Sequence, residues 1–173
     1  MACTALASGR SLACKENVGG IKTIYFAAFG SLGEISVDTD DSTVTAFAGS
    51  PTWYQWDVKG ANSLEQTITA SRDNGTVFYD QIVTAVFTKL GADTQEELLK
   101  IIGGRPHIVV EDYNDNKLLV GAYNGVDVNG GTIGTGAAMG DLSGYSLTLQ
   151  GMEKLPAFFV TATVTGDATQ ITP

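Results

Sequence analysis

Apolar and polar residues alternate along most of this chain, in short runs separated by Gly, Asn, Asp and Pro. A period of two predicts strands with one buried face. Residues 21–29 (Ile-Lys-Thr-Ile-Tyr-Phe-Ala-Ala-Phe) are apolar on both sides toward their end and lie between Gly20 and Gly30, which predicts a central strand. Residues 43–48 alternate as a second strand, and Pro51 opens a third over 52–58. In residues 64–70, Leu64, Gln66, Ile68 and Ala70 share one side and Glu65, Thr67 and Thr69 the other, so one face of that strand is expected to be wet. Residues 76–90 are long. Phe78, Ile82, Val86 and Leu90 fit period two and also a helical stripe, and the β-branched content decides for strand. Residues 107–112 and 117–123 flank Tyr113-Asn-Asp-Asn116, which is good hairpin chemistry. Residues 144–150 and 156–164 close the chain as two more strands.

One segment departs from this pattern. Residues 92–104 read as a short helix centred on about residues 94–102, with Leu98, Leu99, Ile101 and Ile102 as an apolar stripe. Thr94 and Glu97 have the spacing of a capping box, while Gly103, Gly104 and Pro106 end the helix. A helix of about three turns is marginal alone and needs a sheet to cover its stripe. The fold class expected is therefore mainly β, a sandwich or half-open barrel with one flanking α-helix.

Between these elements lie segments without periodicity. Residues 1–20 read as an N-terminal arm, leaving 21–173 as a single β-rich domain. Residues 30–42 carry Glu34, Asp38, Asp40 and Asp41, but without the spacing of a calcium loop, so a solvated loop is expected. Arg72-Asp73-Asn74-Gly75 is a tight-turn signal, and a loop tip touching a partner looks the same. Residues 124–140 hold Gly125, Gly130, Gly131, Gly134, Gly136 and Gly140 with no nucleotide fingerprint, which predicts a mobile or partner-ordered loop.

Composition sharpens this picture. With 173 residues, 43% of them hydrophobic, the chain is long enough for one domain with a core. Its 21 glycines suit tight turns between strands. A formal charge of −9 argues against binding nucleic acid by attraction, although an acidic wall suits a surface that DNA must slip past. No window predicts a membrane span or a signal peptide, so the expectation is a soluble protein made in the cytoplasm.

The chemical inventory is thin. Cys3 and Cys14 have no second ligand pair for zinc; two reduced thiols are expected, with a disulfide as the alternative. His107 is the single histidine and stands at the start of a β run, where a structural role is the ordinary explanation. No serine or cysteine sits in a nucleophile elbow, and no cofactor or metal is expected. Paired carboxylates for glycoside hydrolysis depend on the fold and stay open. Trp53, Tyr54 and Trp56 invite a sugar platform, yet alternation puts Trp53 on the face opposite Tyr54 and Trp56, so part of the set is core.

Residues 14–22 (Cys-Lys-Glu-Asn-Val-Gly-Gly-Ile-Lys), 72–79 (Arg-Asp-Asn-Gly-Thr-Val-Phe-Tyr) and 140–151 (Gly-Asp-Leu-Ser-Gly-Tyr-Ser-Leu-Thr-Leu-Gln-Gly) together resemble bacteriophage virion proteins. The chain looks most like the small tail tube proteins of long-tailed phages, in size and in element order. That resemblance implies a structural subunit, not an enzyme, assembling with itself into six-membered rings that stack into a tube. It implies other tail or head proteins as partners, DNA only as non-specific cargo in the lumen, and a virion location after assembly in the host cytoplasm. It further places assembly contacts at Cys14 and Lys15 on the arm, at Glu34 and Asp38, at Arg72, Asp73 and Asn74, and at Gly130, Gly131, Gly136 and Met139. A capsid-decorating or head-to-tail connector protein is the alternative, with a carbohydrate-binding module behind it.

Overall fold

A computed structural model describes residues 8–12, 14–39 and 42–166. In chain order the elements are β1 (Ile21–Ala27), β2 (Ile35–Val37), β3 (Thr43–Phe47), β4 (Tyr54–Asp57), β5 (Ser63–Ser71) and β6 (Thr76–Thr88). There follow α1 (Ala92–Gly103), β7 (His107–Asp112), β8 (Lys117–Val120), β9 (Asp127–Gly134), β10 (Gly144–Glu153) and β11 (Phe158–Val160). They form two sheets, of seven strands in the order β2-β3-β11-β8-β7-β1-β4 and of four in the order β5-β6-β10-β9. This is the expected mainly β architecture, a sandwich with one flanking helix; neither sheet closes into a barrel.

In the seven-stranded sheet β1 and β7 are buried on both faces, as the doubly apolar run in β1 predicts. Ile24, Phe26, Ile108, Val110 and Val120 point toward the four-stranded sheet and pack against Val83, Ala85, Phe87, Tyr145, Leu147 and Leu149. Tyr25, Ala27, Val109 and Leu119 point the other way, into a second cluster with Leu32, Val44, Trp53, Phe158 and Val160. Burying each such side chain is worth about 1.5–3 kcal/mol, so this sheet carries most of the fold's driving force.

Polar anchors fix the turns. Asp112 accepts hydrogen bonds from the backbone N–H of Asn114 and Asn116, both at 2.8 Å, and closes the β7–β8 hairpin, with Asp115 in the left-handed region at φ 61°. Glu153, 4% exposed, accepts from the N–H groups of Tyr123 at 2.9 Å and Asn124 at 2.7 Å, holding the segment between β8 and β9. Glu111 accepts from the Tyr25 hydroxyl at 3.0 Å and from Lys22 at 3.1 Å. Burial, helped by that carboxylate, pushes the Tyr25 phenol up to about 12.

Several sequence expectations need correction. No side chain caps α1: Thr94 lies inside the first turn, and Glu97 pairs with Lys100 at 2.6 Å. The N-cap is Gly91, whose N–H donates to the Tyr145 hydroxyl at 3.3 Å and whose carbonyl accepts from it at 3.1 Å, so a buried tyrosine anchors the residue at which the helix starts. Leu98 and Ile101 face the core, whereas Leu99 and Ile102 are exposed. In β6 the buried row is Gln81, Val83, Ala85 and Phe87; Phe78, Ile82 and Val86 lie on the opposite, half-covered face. The acidic segment 30–42 contains β2, and the glycine-rich segment 124–140, expected as a loop, contains the strand β9. Backbone pairing with β10 supplies order that its side chains do not advertise.

Candidate assembly surface

The four-stranded sheet has one face against the core and one that no other element covers among the described residues. Its registers align Leu64, Val83, Leu149 and Val128 in one inward rung, and Glu65, Ile82, Gln150 and Asp127 in an outward one. The outward rows run Ser63, Glu65, Thr67 and Thr69 on β5; Phe78, Asp80, Ile82, Thr84 and Val86 on β6; and Ser146, Thr148, Gln150 and Met152 on β10. None of these residues is buried. No Lys, Arg or His occurs in any of the four strands, although the chain holds 10 Lys and Arg. The strands therefore bring hydroxyls and carboxylates to this face and no cation, while Arg105, from the segment after α1, reaches Asp127 at 3.4 Å.

A polar ladder crosses it. Asn129 Nδ2 donates to Gln150 Oε1 at 2.7 Å, and Gln150 Nε2 donates to both Asp80 carboxylate oxygens at 2.7 and 2.9 Å. Asn129 reaches this face because a bulge sits where Thr148 and Leu149 of β10 meet β9. The ladder keeps the Asp80 carboxylate in place and presents it toward solvent beside Thr67.

Among the described residues no strand lies beyond the edges of the sheet, β5 and β9, although α1 touches β9. A strand edge exposes a row of unpaired N–H and C=O groups, which natural proteins usually blunt with Lys, Pro or a short strand. Neither edge carries Lys or Pro, and β5 is 9 residues long. At one end the β5–β6 hairpin outruns the sandwich: Ile68 is 63% exposed and Val77 43%, on the face that farther along is core.

The residues expected to make contacts fall in separate places. Arg72, Asp73 and Asn74 form the exposed tip of that hairpin, with Gly75 in the left-handed region at φ +62°. Gly130 and Gly131 lie in β9, on the opposite edge. A Cβ at Gly131 would press on the Ser146 carbonyl and the Leu147 side chain, whereas one at Gly130 would meet nothing. Gly136 and Met139 belong to the turn between β9 and β10, where Asp141 accepts from the N–H groups of Ala137 and Ala138 at 2.9 and 2.8 Å; those bonds hold its carboxyl below the usual range. Met139 is fully exposed. Cys14 and Lys15 are exposed on the arm, which meets the domain where Val18 and Asn114 exchange hydrogen bonds. Cys3 lies outside the described residues, as do Asp40 and Asp41. Glu34 is exposed, while Asp38 accepts from the N–H groups of Ser42 and Thr43 and so is tied into a local turn.

The open sheet face and its edges were not singled out beforehand. The sequence signal for the face was three alternating segments, those of β5, β6 and β10, with no basic residue among them.

The other candidates are interior. Trp53 is 3% exposed, and Trp56 packs its ring on Phe26 and Phe87 at centroid distances of 5.9 and 4.9 Å, leaving only Tyr54 outward. No aromatic platform for a sugar exists there. His107 is buried, its Nδ1 2.6 Å from the Gly121 carbonyl and its Nε2 accepting from the Gly30 N–H at 3.1 Å. Among the described residues no cluster of His, Cys, Asp and Glu is placed to hold a metal, and no helix is long and apolar enough to cross a membrane. Compared with known protein families, curated proteins and solved structures, the chain gives no significant match.

Proposed function

We propose that this protein is a structural subunit of a bacteriophage virion that polymerises into the tail tube through which DNA passes. One observation carries the reading: a four-stranded antiparallel sheet with an uncovered face, two unpaired edges and no basic residue in any strand. The number of strands is even, so β5 and β9 run in opposite senses. Copies related by rotation about a common axis therefore meet edge to edge in antiparallel sense, and a ring of them closes with no edge left over. The uncovered face then lines the bore. Glu65 and Asp80 repel phosphate there and keep DNA from sticking, while Asp127 is paired with Arg105. Other tail or head proteins cap the ends of the tube.

Electron microscopy of the purified protein with sedimentation analysis tests this. Hollow tubes of stacked rings, wide enough for duplex DNA, are the expected result. A protein that stays monomeric at high concentration overturns the reading. Copies that decorate purified capsids, or form one ring at the portal without polymerising, point instead to the decoration or connector role.

A further inference from the structure

Resting on that assembly reading, the structure carries one finer statement. We infer that β9 of one copy pairs with β5 of the next in one fixed register, with Gly130 opposite Thr67, Gln66 opposite Gly131, Glu65 opposite Thr132 and Leu64 opposite Ile133.

Three features lead there. The first is facing. Thr67 and Glu65 point away from the core, as do Gly130 and Thr132, whereas Leu64, Gln66, Gly131 and Ile133 point toward it. Because side chains alternate along a strand, only registers offset by an even number of residues keep the two faces distinct across the seam. An odd slip turns Ile133 into the bore and a carboxylate into the core layer.

The second is overlap and tilt. Thr67, the middle residue of β5, pairs with Asp80, while Gly130, near the middle of β9, aligns through Thr148 with Thr84, four positions along β6. Matching the two edges along their lengths therefore shifts each copy by four residues, about 13 Å, for every four strand spacings, about 19 Å. The strands then tilt by about 35° to the axis, where closed barrels begin. An offset of two gives about 19°, too upright for a closed barrel; an offset of six shortens the overlap.

The third is what the register covers. Ile133 is an apolar side chain on the inward face of an edge strand, yet it is 58% exposed; Leu64 of the neighbour covers it. Gly130 has open space where a Cβ would be and no need within its own chain for a missing side chain. Glycine inside a strand is costly unless another backbone approaches closely.

Cysteine pairs read the register directly. In a Cys3→Ser, Cys14→Ser background, Leu64→Cys with Ile133→Cys is expected to give, on mild oxidation of assembled protein, a ladder of covalent oligomers that dithiothreitol collapses. The pair Leu64→Cys with Thr132→Cys, one residue out and on opposite faces, is expected to give at least tenfold less. Tubes in the microscope with no ladder from the first pair, or equal ladders from both, overturn the register and leave the tube reading standing. A monomer overturns both. Ile133→Lys is a second check that spares the fold, since the position is exposed in the single copy. Its thermal unfolding should match that of the unmodified protein while tubes disappear, and tubes persisting in this variant overturn the seam.

Discussion

Stability should fall as the solution is acidified from pH 7.5 to 5.5, and one side chain should account for the fall. The chain has a single histidine, so no other side chain has an ordinary pKa inside that window. In the fold, His107 is 3% exposed, and its Nε2 receives the Gly30 N–H, which leaves the ring proton on Nδ1, donated to the Gly121 carbonyl. A second proton on Nε2 would point at an N–H. Burial lowers the folded-state pKa below 6.5, outweighing the opposing pull of the Gly121 carbonyl and the Glu153 charge. Around the ring, Phe29 stacks at 5.2 Å and Arg105 lies over Phe29, an apolar and cationic setting that does not favour the charged form.

Because the folded pKa is the lower one, the unfolded chain takes up the proton first. The contribution of His107 is therefore complete above pH 6.5 and is lost as pH falls from there toward the folded value. The slope reaches at most about 1.4 kcal/mol per pH unit, which makes the total loss between pH 7.5 and 5.5 at most about 1.4 kcal/mol. Urea unfolding of the unmodified protein and of His107→Gln at pH 7.5, 6.5 and 5.5 measures it. The unmodified curve should drop while the variant, less stable at pH 7.5, stays nearly flat. Parallel curves, or an unmodified protein that gains stability on acidification, would refute the reasoning.

Two further substitutions test the polar anchors. Tyr145→Phe removes the hydroxyl that both donates to and accepts from Gly91; it should cost about 1–2 kcal/mol in urea unfolding and loosen the first turn of α1 by hydrogen exchange. Adding Gly91→Asp should recover part of that loss by giving the helix a side-chain cap, because Gly91 sits in extended backbone that any residue adopts. Glu153→Gln keeps the shape but removes the charge that receives the Tyr123 and Asn124 amides, so a loss of about 1–2 kcal/mol is expected. Thermal melting that leaves this variant unchanged would show the segment between β8 and β9 to be held by packing alone.

Local signals carried much of this fold. The β7–β8 hairpin was legible because Asp112 and the residues 113–116 supply turn chemistry independent of anything distant. β1 was legible as a strand buried on both faces because both are apolar, although it lies next to the edge strand β4 and not at the centre of its sheet. What failed depended on contacts far away in sequence. The start of α1 is anchored by Tyr145, 54 residues on, which bonds the backbone of Gly91, so the Thr94–Glu97 pattern carried no information about it. β9 is held in a sheet by β10, and a segment with Gly130, Gly131 and Gly134 announces flexibility until that partner is known. For β6 the long-spaced hydrophobics Phe78, Ile82 and Val86 drew the eye to the wrong face, because the buried row includes Gln81, which bonds the Leu155 carbonyl and the Gly121 amide. The candidate surface was harder still: an edge is defined by the absence of a neighbour, which only topology reveals.

The doubly buried sheet has a consequence for how the molecule tolerates change. Since it and the inward rows hold the chain together, the outward positions on the smaller layer contribute little to cohesion. Replacing Ser63, Thr67, Thr69, Ser146 and Thr148 wholesale should leave folding almost untouched. The molecule thus behaves as a chassis whose exterior lining is exchangeable, open to retuning for charge or for grafted reactive groups while the scaffold beneath stays as it is.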